Sequence, residues 1–201
     1  MKTERNPENT RHRILQATFQ EMHKHGYQGM RIDQVLKKTG LKKGALYHHF
    51  SSKQVLGYAV LEEIIQKRIT ALWIDPLTSF ADPLEGIHTL FTELENDWND
   101  AFFSLGCPLN NLAQEMSPID EGFRNRIQNF FKFWQKAIAD ALKRGQQQGI
   151  VDSAINTENC ALFILSSIEG VLGMTKSHQD KEVFYICSRE LKRYLNALKA
   201  T

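Results

Sequence analysis

Apolar residues recur every three or four positions along almost the whole 201-residue chain, and no segment alternates strictly with β-branched enrichment. That rhythm predicts an all-α fold of about nine helices and no sheet. The first helix is expected over 7–24, with Ile14, Leu15, Thr18, Phe19 and Met22 on one face and Gly26 as its stop. Two short helices follow at 32–38 and 43–49 around Thr39-Gly40-Leu41, the spacing of a helix-turn-helix. A long fourth helix is expected over 52–73, burying Leu56, Val60, Ile64 and Leu72 and ending at Asp75-Pro76. Later helices are read at 83–100, 108–116, 118–147, 157–177 and 180–200, with Pro83, Pro108 and Pro118 in first-turn positions. No repeat or flexible linker intervenes, so the fourth helix joins an N-terminal domain (1–53) to a C-terminal one (54–201).

Charge sharpens this division. The net charge is only +2, yet residues 1–53 carry +7 and residues 54–201 carry −5, and five of the seven histidines lie in the basic quarter. A basic head on an acidic body is the layout of a nucleic-acid binder with a second function. At 42% hydrophobic and 24% charged residues, the chain is neither disordered nor fibrous. The opening residues hold no apolar core, and the most apolar stretch, 161–174, is broken by Ser166, Ser167, Glu169, Gly170 and Gly173. Neither a leader nor a membrane span is expected, and a cytoplasmic protein is. Cys107, Cys160 and Cys187 are far apart and lack metal-ligand spacing, so no metal or other cofactor is expected. His48-His49 do not change this, because adjacent helical residues diverge and no third ligand lies nearby. There is also no nucleophile–base set, phosphate loop or HExxH motif, so an enzyme is not expected.

Between Thr10 and Leu56 the residues fall in a recognisable order: Thr10-Arg11, Ile14-Leu15, Ala17, Phe19, Gly26-Tyr27, Ile32, Val35, Gly40-Leu41, Lys43-Gly44, Leu46-Tyr47, His49-Phe50, Lys53 and Leu56. This segment resembles the DNA-binding part of the tetracycline-repressor (TetR) family. The resemblance covers about a quarter of the chain; the later helices are similar to the family's ligand-binding domain only in number and length. It implies a sequence-specific DNA-binding regulator, in first place a repressor, released from double-stranded operator DNA by a small molecule. Gly40 supplies a positive φ in the turn, and Gly44 leaves backbone free to approach a duplex. Ile14, Phe19, Ile32, Val35, Leu41, Leu46 and Phe50 have the sizes to close a small core. The outward residues Lys42, Lys43, Ala45, Tyr47, His48 and His49 face DNA: Lys42 and Lys43 reach base edges or phosphate, and Ala45 a thymine methyl. The resemblance places Tyr47, His49, Lys53, Thr10 and Arg11 on phosphate. Three positions depart from the family's pattern: Ala45 lacks the usual hydroxyl, and Lys42 and Arg31 replace capping residues.

The C-terminal region is rich in aromatic residues. Most fill core, but a largely apolar cavity between helices is the usual effector site in such a fold. Trp73, Phe91, Trp98, Phe102, Cys107, Phe130, Trp134 and Glu169 are the candidates, for an apolar or aromatic effector. Glu169 lies within an apolar run and must find a partner or have its pKa raised; an effector, a neighbouring helix or a dimer mate can each supply that partner. Leu165, Ile168, Leu172, Leu191 and Leu195, with Gly170 and Gly173, resemble the helix pair that forms the family's homodimer. Cys107 precedes Pro108 at a helix start, where the dipole favours a thiolate able to meet oxidants or electrophiles, with Lys176 as a possible stabiliser. The alternative is that Cys107 packs the mouth of a pocket for a reversible ligand.

Overall fold

The computed structural model describes residues 7–97 and 100–200, with side chains of 95–102 outside the description. Among the described residues each of the nine expected regions contains a helix, a further short one at Asp100–Leu105 was not expected, and the only β pairing is one isolated bridge, Val151 to Lys199. The helices are α1 (Pro7–Gly29), α2 (Ile32–Thr39), α3 (Lys43–His49), α4 (53–77), α5 (Pro83–Asp97), α6 (Asp100–Leu105), α7 (Pro108–Met116), α8 (Glu121–Gln147), α9 (Thr157–His178) and α10 (Lys181–Ala197).

Local chemistry sets the ends. Gly26 interrupts α1 at φ 74°, and Gly40 closes α2 in the left-handed region at φ 68°, which residues with a Cβ rarely adopt. Side-chain oxygens of Ser52, Asp82, Asn156 and Asp180 accept the free N–H groups at the starts of α4, α5, α9 and α10. Arg31 and Lys42, in the cap positions of α2 and α3, make no such bond. Pro83 and Pro108 open their helices as expected, but Pro118 does not. The helix starts later, at Glu121, because Asp120 Oδ1 accepts from Phe123 N at 2.8 Å and so provides the cap.

The fourth helix departs from expectation in length and phase. Asp75-Pro76 does not end it; the helix continues to Leu77. Two π-turns, Leu61–Ile65 and Thr70–Ile74, widen it, with Gln66 N bonding Leu61 O and Asp75 N bonding Thr70 O. The wider turn carries the chain into Pro76, which has no N–H to donate. Each π-turn also rotates the residues beyond it. Leu72 therefore faces outward, and Trp73 and Ile74 are buried in its place.

The chain forms two compact units. One runs through Arg68 and includes Asn111–Ile127; the other comprises Ile69–Asn110 and the chain from Gln128 onward. The first is thus larger than a 53-residue reader. In it, Ile14, Leu15, Phe19, Val35, Leu46, Phe50 and Leu56 are buried, while Ile32 and Leu41 are only partly covered. Gly57 lets α4 lie against two rings: a Cβ there would sit 2.6 Å from Tyr27 Cε2 and 2.9 Å from Phe123 Cζ. In the second unit, Trp73, Phe91, Trp134, Ile138, Leu142, Ile164, Ile168, Phe184 and Leu195 fill the interior.

Gly57→Ala is expected to overpack the first unit and cost about 1–3 kcal/mol, read as a lower midpoint in chemical denaturation. An unchanged midpoint would mean that the Tyr27 and Phe123 rings move aside freely.

Candidate nucleic-acid interface and buried acid site

Helix α3 is only seven residues long and lacks a side-chain cap. It is held from beneath by Leu46, which is fully buried, and by Phe50 just beyond its end. With the inward side fixed, Lys42, Lys43, Gly44, Ala45, Tyr47 and His48 are exposed together, and His49 is half-buried. A Cβ at Gly44 would meet nothing within 4 Å, so the backbone there is open to close approach. The Lys43 ammonium lies 5.9 Å from the Tyr47 ring centre. The His48 and His49 rings are 5.6 Å apart and nearly perpendicular, and no cluster of three metal-ligating side chains occurs among the described residues.

Two of the expected phosphate ligands are engaged inside the protein. Arg11 donates through both terminal nitrogens to Glu63, each at 2.5 Å, and stacks over Phe50. These hydrogen bonds hold the Glu63 carboxyl below its usual range. Lys53 Nζ donates to Gln28 O at 3.1 Å and Met30 O at 2.9 Å. Arg11 and Lys53 are therefore struts of the reader in this conformation. Thr10, the other expected contact from α1, is half-buried.

The sequence reading missed Glu115. Its carboxylate accepts from Tyr27 N and Gln28 N, each at 2.8 Å, next to the Gly26 break in α1. It caps backbone that the break leaves unpaired, from a position 87 or 88 residues away in sequence. Only its place next to the last residue of a polar-faced helix could have drawn notice.

In the second unit the expected effector residues form two groups. Trp73 lies 5.6 Å from Trp134 and 6.2 Å from Phe91, between ring centres, and Phe91 lies 4.7 Å from Phe184. Phe184, absent from the expected set, links this cluster to Phe103 at 5.4 Å. Phe130 is buried beside Phe133, while Trp98 and the Phe102 side chain lie outside the described residues. The other group is Cys107 and Glu169, both buried and in contact. An open groove of about 540 Å³ borders the aromatic cluster at Phe184, is otherwise lined by His88, Thr92, Ser188 and Lys192 among others, and contains none of the expected residues.

The buried pair corrects the expectation of a reactive Cys107 thiolate. Burial, and then the neighbouring Glu169 carboxylate, push the thiol well above its ordinary pKa, outweighing the Asn110 and Leu109 N–H groups at the start of α7. Burial likewise lifts Glu169 from 4.5 to about 7. Apart from the adjacent Cys107 thiol, neither of its carboxylate oxygens has a hydrogen-bond partner among the described residues, nor does the buried Thr175 hydroxyl on the same helix.

The five residues expected at a dimer interface, Leu165, Ile168, Leu172, Leu191 and Leu195, are buried within the chain itself. The helices are two-faced, and these side chains pack on the subunit's own interior. The apolar residues that α9 and α10 leave exposed are Leu162, Phe163, Met174 and Ile186.

Because the folded protein holds Glu169 protonated up to about pH 7, against 4.5 for an unperturbed carboxyl, it binds the extra proton between those values. Stability must therefore fall as pH rises through that window, with the full penalty present above it. Glu169→Gln is expected to remove a penalty on the order of 3 kcal/mol at pH 8 and little at pH 5. Denaturation midpoints at the two pH values check this; equal effects would show that Glu169 titrates normally.

Comparison with known proteins agrees with this arrangement. Residues 14–60 match the family described as "Bacterial regulatory proteins, tetR family", and residues 83–190 match "Transcriptional regulator LmrA/YxaF-like, C-terminal domain". An uncharacterized HTH-type transcriptional regulator in the lacX 3' region of Lactococcus lactis subsp. lactis is 31% identical, covering 89% of each chain. The HTH-type transcriptional repressor DhaR of Mycobacterium sp. (strain GP1) is 23% identical, over 86% of this chain and 85% of its own. A TetR transcriptional regulator from Chloroflexus aurantiacus superposes with a TM-score of 0.83 at 21% identity, covering 96% of this chain and 97% of that one, which establishes the shared fold. Through its exposed reading helix, its two matching regions and these relatives, the chain belongs to the TetR family of DNA-binding transcriptional regulators, not enzymes.

Proposed function

We propose that the protein is a homodimeric cytoplasmic repressor that holds double-stranded operator DNA through α3 and releases it when a small molecule enters the interior of its second unit. The observation that carries this reading is the continuous exposed surface of Lys42, Lys43, Gly44, Ala45, Tyr47 and His48 above the buried Leu46. A major groove admits one helix, with its N-terminal residues nearest the base edges. Lys43 and Ala45 read bases, Lys42 serves base edge or phosphate, and Tyr47, His48, His49 and Thr10 hold the backbone. Repression is favoured because DhaR, similar over most of its length, is named a repressor.

A two-fold partner is needed to present a second reading helix one turn along the duplex. Leu162, Phe163, Met174 and Ile186 supply the apolar surface, and a Cβ at Gly170 or Gly173 would meet nothing within 4 Å of the single chain, leaving room for close approach. Helix α4 runs unbroken from residues of one unit into residues of the other. An effector that binds one arrangement of the reading helices more tightly than another shifts the population toward it. The buried aromatic cluster and the Cys107–Glu169 pair are the candidate contacts, for an ordinary reversible effector. Its raised pKa counts against Cys107 as an oxidant or electrophile sensor.

Selection from a random duplex library is expected to return an altered preferred site for Lys43→Ala. Tyr47→Phe should keep the wild-type site and weaken all sequences alike. An unchanged site with Lys43→Ala removes this residue from base reading. In sedimentation at micromolar concentration the wild type is expected as a dimer and Leu162→Glu as a folded monomer. Leu191→Glu, by contrast, should unfold the subunit, since it places a charge in the core. A wild-type monomer would sink the dimer.

A further inference from the structure

We propose that the buried Glu169 carboxylate, with the Cys107 thiol beside it, is the polar recognition point for an effector carrying a cationic nitrogen, an ammonium or amidinium, on an apolar body. This rests on the reading above that the second unit receives a small molecule. Glu169 is only 7% exposed, and apart from the adjacent Cys107 thiol its oxygens have no hydrogen-bond partner among the described residues. Taking a carboxylate out of water costs several kcal/mol unless an opposite charge or donors compensate. Among the described residues no opposite charge is paired with it, and its one donor is the Cys107 thiol. Asn110 Nδ2 donates to the Glu169 backbone oxygen, at 3.4 Å, and leaves the carboxylate unserved. The thiol is a weak donor.

A second orphan lies on the same helix. Thr175 is 1% exposed and its hydroxyl has no partner. Six residues on along α9, it lies about 9 Å away along the axis. Six residues also turn an α-helix by about 240°, so Thr175 faces a different side of α9 and the recognition point is Glu169 with Cys107 alone. Burial favours the neutral acid, which makes the group tolerable without a ligand. A cation restores the charged form and supplies the missing donors. An anion would be repelled by a charge in a low-dielectric interior, where Coulomb forces are strong.

The test is calorimetric titration of the full-length protein with matched phenylalkyl compounds of two to six methylenes, each as amine, alcohol and carboxylic acid. At pH 8 the best amine is expected to bind at least about thirtyfold tighter than its alcohol, with no binding by the acid. Glu169→Gln should erase the difference between amine and alcohol while remaining folded, as its denaturation midpoint reports. Thr175→Val, on another side of α9, should leave both the difference and the affinities unchanged. Amines and alcohols that bind alike, a preference surviving Glu169→Gln, or no binding at any chain length overturns the proposal. Operator retention is measured separately, on DNA taken from the library selection. Glu169-dependent amine binding without release of DNA leaves the cation site standing and removes the regulatory reading instead.

Discussion

A seven-residue helix cannot support itself in water, and the reading surface depends on how α3 is held down. Nucleation of so short a helix is unfavourable, and α3 has no side-chain cap to offset it. Its order comes from Leu46 and Phe50, which are buried in the core of the first unit, with Arg11 of α1 over the Phe50 ring. One residue facing inward leaves nearly all the rest facing outward. The economy of that anchor allows lysines, an alanine, a tyrosine and histidines to share one open surface.

Charge in the first unit is divided between contact and support. Arg11 and Lys53 secure Glu63 and the carbonyls at the α1–α2 turn, while Glu115 secures the N–H groups on the other side of the same turn. Glu21 and Lys38 pair across α1 and α2 at 2.8 Å. Such pairs contribute modestly to stability where solvent reaches them, but they fix geometry. Lys42 and Lys43, at the start of α3, have no comparable ion-pair partner among those described, which suits them to phosphate.

The second unit is organised around the opposite problem. Its aromatic interior offers no polar solvation, and Glu169 and Cys107 titrate high because of it. Burial also changes the meaning of a helix start. The dipole and free N–H groups at Cys107 favour a thiolate, but desolvation and an adjacent carboxylate outweigh them. The same environment that raises the Cys107 thiol raises the Glu169 carboxyl.

Much of this was determined by sequence alone. Periodicity gave the helices, Gly26 and Gly40 their breaks, and the spacing between Thr10 and Leu56 the family, because local propensity and turn stereochemistry act over a few residues. Tertiary structure decided which side of each helix meets the subunit's own interior. Leu165 and Leu191 look like interface residues in a stripe, yet their own chain buries them and leaves Leu162 and Phe163 outside. Two π-turns, invisible to a fixed 3.6-residue period, exchanged Leu72 for Trp73. Only folding brought Glu63 to Arg11, Glu115 to Tyr27 and Glu169 to Cys107. A charge is the same in every sequence, but its pKa and its partner depend on dielectric and distance, and both are set by residues far away along the chain.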